Sequence, residues 1–169
     1  EWERTITLKD GSEALLRPIR PEDEQAHKKF DESLSKEDRY SRFFGEMPQF
    51  THEQLAKMTQ IDYDREMAFI VSKKIDGEDV TLGVSRVLMD PDNLVAEFAI
   101  VVGSNQQALG LGRILLSAAV EYCQRQGVGS IEGMTLFENS GMIELARKLG
   151  FTIKRDFEEG TIHMSKALN

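Results

Sequence analysis

Two hydrophobic rhythms alternate along the chain, and the points where one gives way to the other mark its elements. Thr5–Leu8 and Ala14–Ile19 read as strands, joined by Lys9-Asp10-Gly11-Ser12, whose Asp-Gly pair is a hairpin signal. Pro21 stands where a helix would begin. Glu22, Asp23 and Glu24 fill its first turn, and Ala26, Phe30 and Leu34 recur at helical spacing. Ser35 is placed to cap a second short helix carrying Tyr40, Phe43 and Phe44, and Thr51 a third with Leu55 and Met58 inward. Met67–Ile75, Val80–Met89 and Leu94–Val102 then form an antiparallel meander with turns at Asp76-Gly77 and Asp90-Pro91-Asp92-Asn93. The helix that follows runs from Leu111 to Gln126, with Leu111, Ile114, Leu115, Ala118, Ala119 and Tyr122 on one face, and ends at Gly127. Ser130–Leu136 is a strand. Arriving after a crossover helix, it can lie parallel to the Leu94 strand. A last helix opens at Glu138-Asn139-Ser140, buries Met142, Leu145, Ala146 and Leu149, and closes at Gly150. Phe151–Asp156 and Thr161–Ala167 finish as a hairpin. This order predicts an α+β fold (a mixed α/β sheet), largely antiparallel and of about seven strands, with helices on both faces.

The chain turns on the stretch from Val101 to Leu116. An apolar strand ends at Gly103, a polar loop follows, Gly110 and Gly112 bracket Leu111, and a helix begins at once. The first N–H groups of a helix have no intrahelical partner, and the macrodipole places partial positive charge there, so the junction predicts a site for a phosphate-bearing ligand. Glycine would let a phosphate approach those amides closely. Two common phosphate loops are excluded: Gly112 is followed by Arg113-Ile114 rather than Lys-Ser/Thr, and Leu115 stands where a dinucleotide fingerprint needs its third glycine.

Composition narrows the function further. The chain has 169 residues, enough for one domain with a sizeable core, and its net charge of −8 argues against duplex nucleic acid and favours a basic acceptor. A single cysteine, Cys123, lies on the apolar helix, so no intrachain disulfide forms and a reducing cytoplasm is expected. His27, His52 and His163 lack metal-ligand spacing, and no apolar run is long enough to span a membrane. A first residue of Glu rather than Met suggests a single domain, residues 1–169, excised from a longer chain.

Gln107-x-x-Gly110-x-Gly112 resembles the Q/R-x-x-G-x-G/A motif of the GNAT acetyltransferase superfamily, and Asn139-x-x-Met142-x-x-Leu145-x-x-Lys148-Leu149-Gly150-Phe151 is similar to that family's second signature, one helix and one strand downstream. The order of elements is that of the GNAT fold. Leu16-Arg17-Pro18-Ile19-Arg20-Pro21-Glu22-Asp23 and Tyr40-Ser41-Arg42-Phe43-Phe44 further resemble the C-terminal domain of bacterial Pat-type protein lysine acetyltransferases, where the domain follows a large acyl-CoA synthetase-like region. The resemblance implies acetyl-CoA as co-substrate, no metal, and a protein lysine as acceptor, with acyl-CoA synthetases as the substrates of the Pat-type enzymes. It places the pyrophosphate on the loop amides of Gln107, Ala108, Leu109, Gly110, Leu111 and Gly112, and the CoA arm beside Asn139. It also implies that the strand splays from its parallel neighbour near Ile100, Val101 and Val102, freeing backbone groups for the pantetheine arm. Arg113 either screens the pyrophosphate or points to solvent, and Asn139 is equally suited to capping its helix.

Only a neutral amine attacks a thioester, and deprotonating a lysine of pKa ~10.4 near neutral pH costs about 4 kcal/mol, a handicap that a positioned base relieves. Glu97 interrupts the apolar strand Leu94-Val95-Ala96-Glu97-Phe98-Ala99-Ile100-Val101-Val102, and the resemblance assigns it the role of general base. A solvent-facing strand Glu is the plainer alternative, with Glu132 and Glu138 as weaker candidates for the base. The pattern departs from many small-molecule members in one place: Ala146 stands where they carry a Tyr that protonates the leaving thiolate, which leaves the general acid unassigned. The competing functions are a small-molecule amine acetyltransferase and a non-catalytic acetyl-CoA sensor. A buried acidic pocket beside Glu97 would favour the first of these, and a shallow groove a protein acceptor.

Overall fold

A computed structural model describes residues 2–33, 66–90, 92, 94–103, 110–136 and 140–168. The helices expected around Tyr40, Phe43 and Phe44 and after Thr51 lie outside the described residues. So do Gln107, Ala108, Leu109, Glu138 and Asn139.

The described strands are β1 (Arg4–Thr7), β2 (Glu13–Pro18), β3 (Glu66–Ile75), β4 (Glu78–Met89), β5 (Val95–Val102), β6 (Ser130–Leu136), β7 (Thr152–Asp156) and β8 (Thr161–Ala167). They form one sheet of eight strands rather than about seven, in the order β1-β2-β3-β4-β5-β6-β8-β7. Every neighbouring pair is antiparallel except β5 and β6. The last hairpin folds back so that β8 lies beside β6 and β7 takes the edge. Burial explains this choice, because β8 places Ile162 and Met164 in the core whereas β7 half-buries only Ile153 and Asp156.

The helices are α1 (Glu24–Ser33), α2 (Leu111–Arg125) and α3 (Ser140–Lys148). They divide the apolar residues of the sheet by strand alternation. On β3, Met67, Phe69 and Val71 join the core beneath α2, while Ala68 and Ile70 join Ile19, Phe30, Val84 and Val101 beneath α1. Helix α2 buries Leu111, Leu115, Leu116, Ala118, Ala119, Tyr122 and Cys123. Burial pushes the Cys123 thiol up to about 12, so it is an inert packing group and no nucleophile.

The corner between β2 and α1 is held by charge. A turn of 3-10 helix, Pro21–Asp23, precedes α1. Arg17 donates hydrogen bonds of 2.7 Å from both terminal nitrogens to the Asp23 carboxylate, which also accepts the Arg20 N–H at 2.7 Å. The motif from Leu16 to Asp23 therefore has a structural reason of its own: it fixes where α1 leaves the sheet.

Candidate active site

The site is built around the place where β5 parts from β6. Their parallel register comprises Val95↔Ser130, Ala96↔Ile131 and Glu97↔Glu132, and it ends there although both strands continue. From Phe98 to Val102 strand β5 keeps its register with β4 alone. The parting thus begins at Phe98, earlier than Ile100. Beside the parting, a Cβ added to Gly133 of β6 would stand 2.6–2.9 Å from the Phe98 ring. Phe98 occupies the space beside β6 and meets Phe151 edge-on at 5.6 Å between centroids. Val101 is buried beneath α1, while Ile100 and Val102 pack half-buried against the core under α2.

Glu97 is the last β5 residue in register with β6, and it points to the α1 side of the sheet, exposed to solvent. The solvent-facing alternative is therefore correct as to exposure. What distinguishes this carboxylate is the row it stands in. The register places Glu66 opposite Leu88, Leu88 opposite Glu97, Glu97 opposite Glu132, and Glu132 opposite Ser165. Paired residues share a face, so Glu66, Glu97 and Glu132 line up across the sheet with Leu88, which is 54% exposed, among them. Glu66, Arg86, Leu88, Glu97 and Ala99 line an open depression of about 270 Å³. At its α1 end the Arg86 guanidinium lies 3.4 Å from Nε2 of His27, a fully buried residue of α1. Sequence reasoning treated Glu132 as a separate candidate and passed over Glu66 and Arg86, because only the strand register brings them to Glu97.

The anion site expected from the sequence falls at the N-terminus of α2. Gly110 is its N-cap in the left-handed region, φ +80°, and the first helical bond runs from the Ile114 N–H to the Gly110 carbonyl at 3.4 Å. The Leu111, Gly112 and Arg113 amides precede that bond, in the positions where a helix leaves its donors unsatisfied. Each of the two glycines also answers to a protein neighbour. A Cβ on Gly112 would meet Leu145 at 3.3 Å, so this glycine seats α3 against the start of α2. A Cβ on Gly110 would meet the Lys9 stem, its closest carbon 3.2 Å away. Arg113 is exposed. Ala146 is fully buried in the core, away from solvent, and its carbonyl accepts the Phe151 N–H at 2.9 Å.

Among the described residues no group of His, Cys, Asp or Glu is arranged to hold a metal ion, and no helix is long and apolar enough to cross a membrane.

Comparison with known proteins places this geometry in context. Residues 29–151 match the family model described as the acetyltransferase (GNAT) family. Acetyltransferase PA5475 of Pseudomonas aeruginosa is 31% identical over 155 residues, which span 92% of this chain and 83% of that protein. The GNAT domain of PAT from S. lividans superposes with a TM-score of 0.86 at 26% identity, over 99% of this chain and 97% of that one. Spermidine N-acetyltransferase from Vibrio cholerae, solved with CoA and spermine, shares the fold at 19% identity, with a TM-score of 0.72 over 90% of this chain and 94% of its own.

Proposed function

The chain belongs to the GNAT acetyltransferase family and is an acetyl-CoA-dependent N-acetyltransferase, and from that premise we propose that it transfers acetyl to the ε-amine of a protein lysine, with an acyl-CoA synthetase as acceptor and Glu97 as general base. Acetyl-CoA lies with its pyrophosphate on the amides from Gln107 to Arg113 and its arm along the parted edge of β5, beside Asn139. The neutral lysine nitrogen attacks the thioester carbonyl and its proton passes to the Glu97 carboxylate, directly or through a water. A β5 backbone amide between Ile100 and Val102 steadies the oxyanion. The carbonyl then re-forms, the C–S bond breaks, and the CoA thiolate leaves.

The observation that carries this reading is the place of Glu97. It stands at the last paired position before β5 and β6 separate, on the open face of the sheet, within a row of three carboxylates. A charged ammonium approaching that row is drawn toward the base. The depression beside it is open, with room of about 270 Å³ among the described residues for an amine-bearing side chain. The likeness to the S. lividans PAT domain along nearly the full length of both chains supports the same acceptor class.

A competition assay tests the acceptor. Purified acyl-CoA synthetase and spermidine are offered together with acetyl-CoA, and products are read by mass spectrometry. The expected outcome is acetyl-lysine on the synthetase and a kcat/KM for spermidine lower by about 100-fold or more, the scale on which one site separates such acceptors. Acetylated spermidine with an unmodified synthetase would transfer the assignment to small amines.

A further inference from the structure

Lys9 belongs to the β1–β2 hairpin, about a hundred residues from Gly110 in sequence, yet its side-chain stem lies against that glycine. The three carbons nearest to a Cβ built on Gly110 are Lys9 Cε at 3.2 Å, Cγ at 3.5 Å and Cδ at 3.6 Å. The stem is laid against the bare Cα of the residue that caps α2, and the ammonium is one bond beyond Cε. We infer that Lys9 is a cofactor-binding residue whose ammonium forms the counter-charge to the pyrophosphate of acetyl-CoA. This inference rests on the acetyl-CoA reading above and adds to it a cation from outside the loop motif.

The hairpin is built to hold that side chain in place. Leu8, next to it, is buried in the core shared with Leu111. The Leu8 N–H donates to the Ser12 carbonyl at 2.8 Å and the Gly11 N–H to the Leu8 carbonyl at 2.9 Å, which closes the turn around Lys9. Asp10, the carboxylate adjacent in sequence, is turned onto Ser12, accepting from both its N–H (2.9 Å) and its Oγ (2.6 Å). Among the described residues Lys9 forms no ion pair. A pyrophosphate carries more charge than a few helix amides balance, and a neighbouring ammonium supplies what they lack. Helix α2 itself has no acidic residue in its first turn to oppose the anion.

The arrangement also gives Gly110 a second reason to be glycine. Its φ of +80° disfavours any Cβ, and a Cβ would in addition press on the lysine stem. The N-terminal hairpin, which carries no recognised motif at this position, thereby becomes one wall of the cofactor site.

Calorimetric titration with CoA and with acetyl-pantetheine, which lacks the pyrophosphate, tests the inference. Lys9→Met keeps the stem against Gly110 and removes the charge, and Lys9→Arg restores it. The expected result is a CoA Kd raised about tenfold in Lys9→Met, the size of one charge-assisted contact. Lys9→Arg should stay near wild type, and acetyl-pantetheine should bind both variants and wild type equally. Wild-type affinity for CoA in Lys9→Met, or an equal loss with acetyl-pantetheine, overturns the role of Lys9 alone. A wild-type chain that fails to bind CoA overturns the acetyl-CoA reading along with it.

Discussion

Arg17 and Asp23 meet in a setting where each is less than a tenth exposed, and the pair can be tested at the scale of one atom. Burial alone would raise the Asp23 pKa. The hydrogen bonds from Arg17 and from the Arg20 N–H, with the charges of both arginines, more than offset it and hold the carboxyl below its ordinary value of 3.8. An acid whose pKa falls on folding stabilises the folded state above its unfolded pKa, and that contribution is lost as pH falls through the lower folded value. Asp23→Asn leaves Arg17 buried without its counter-ion and should cost about 3 kcal/mol in urea unfolding at pH 7. The gap between variant and wild type should narrow as pH drops below 3.8. A gap that stays constant across that range would show that the ionised pair is not its source. The sequence shows Asp23 as a helix-start acid and as the end of the Leu16–Asp23 motif, but not as the partner of Arg17. Its partner lies six residues back on a strand, and the corner geometry that joins them has no periodic signature.

At the scale of elements, much of the fold is legible in the pattern. The strand over Ser130–Leu136 and the α2 face appear where the alternation and the 3.6-residue period put them, because both are dictated by a buried core. Two features are not legible. The place of β8 between β6 and β7 depends on comparing the burial of two strands that each read as a plausible neighbour. The close packing of Phe98 on Gly133 beside the parting of β5 from β6 joins residues 35 apart that meet only after the α2 crossover. Gly133→Ala tests the second. Its Cβ would collide with the Phe98 ring, and the forced shift should destabilise the fold by about 1–3 kcal/mol, the usual range for overpacking. Phe98→Leu in the same chain should recover part of the loss. Equal stability of Gly133→Ala and wild type would mean that the Phe98 ring does not need the bare Cα of Gly133.

The whole molecule brings together groups that no motif contains. The loop signature and Glu97 can be picked out of the sequence, because a glycine pair before a helix and a carboxylate in an apolar strand each break a local rule. The Glu66, Glu97 and Glu132 row, the Arg86 beside it and the Lys9 wall come from five separate segments and depend on sheet register and on how the first hairpin packs. On the proposed reading the carboxylates face the acceptor and Lys9 the cofactor, on a chain whose net charge is −8. Glu97 is the proposed base within the acidic row, and Glu132 opposite it in register is the internal control. The decisive measurement is the single-turnover rate of acetyl transfer to an acyl-CoA synthetase lysine at saturating acetyl-CoA, for wild type, Glu97→Gln and Glu132→Gln. The account predicts that Glu97→Gln is slower by about 100-fold or more, the range of a lost general base, with its acetyl-CoA Kd unchanged, and that Glu132→Gln keeps most of the rate. Equal rates for Glu97→Gln and wild type, or the large loss appearing in Glu132→Gln instead, would contradict it.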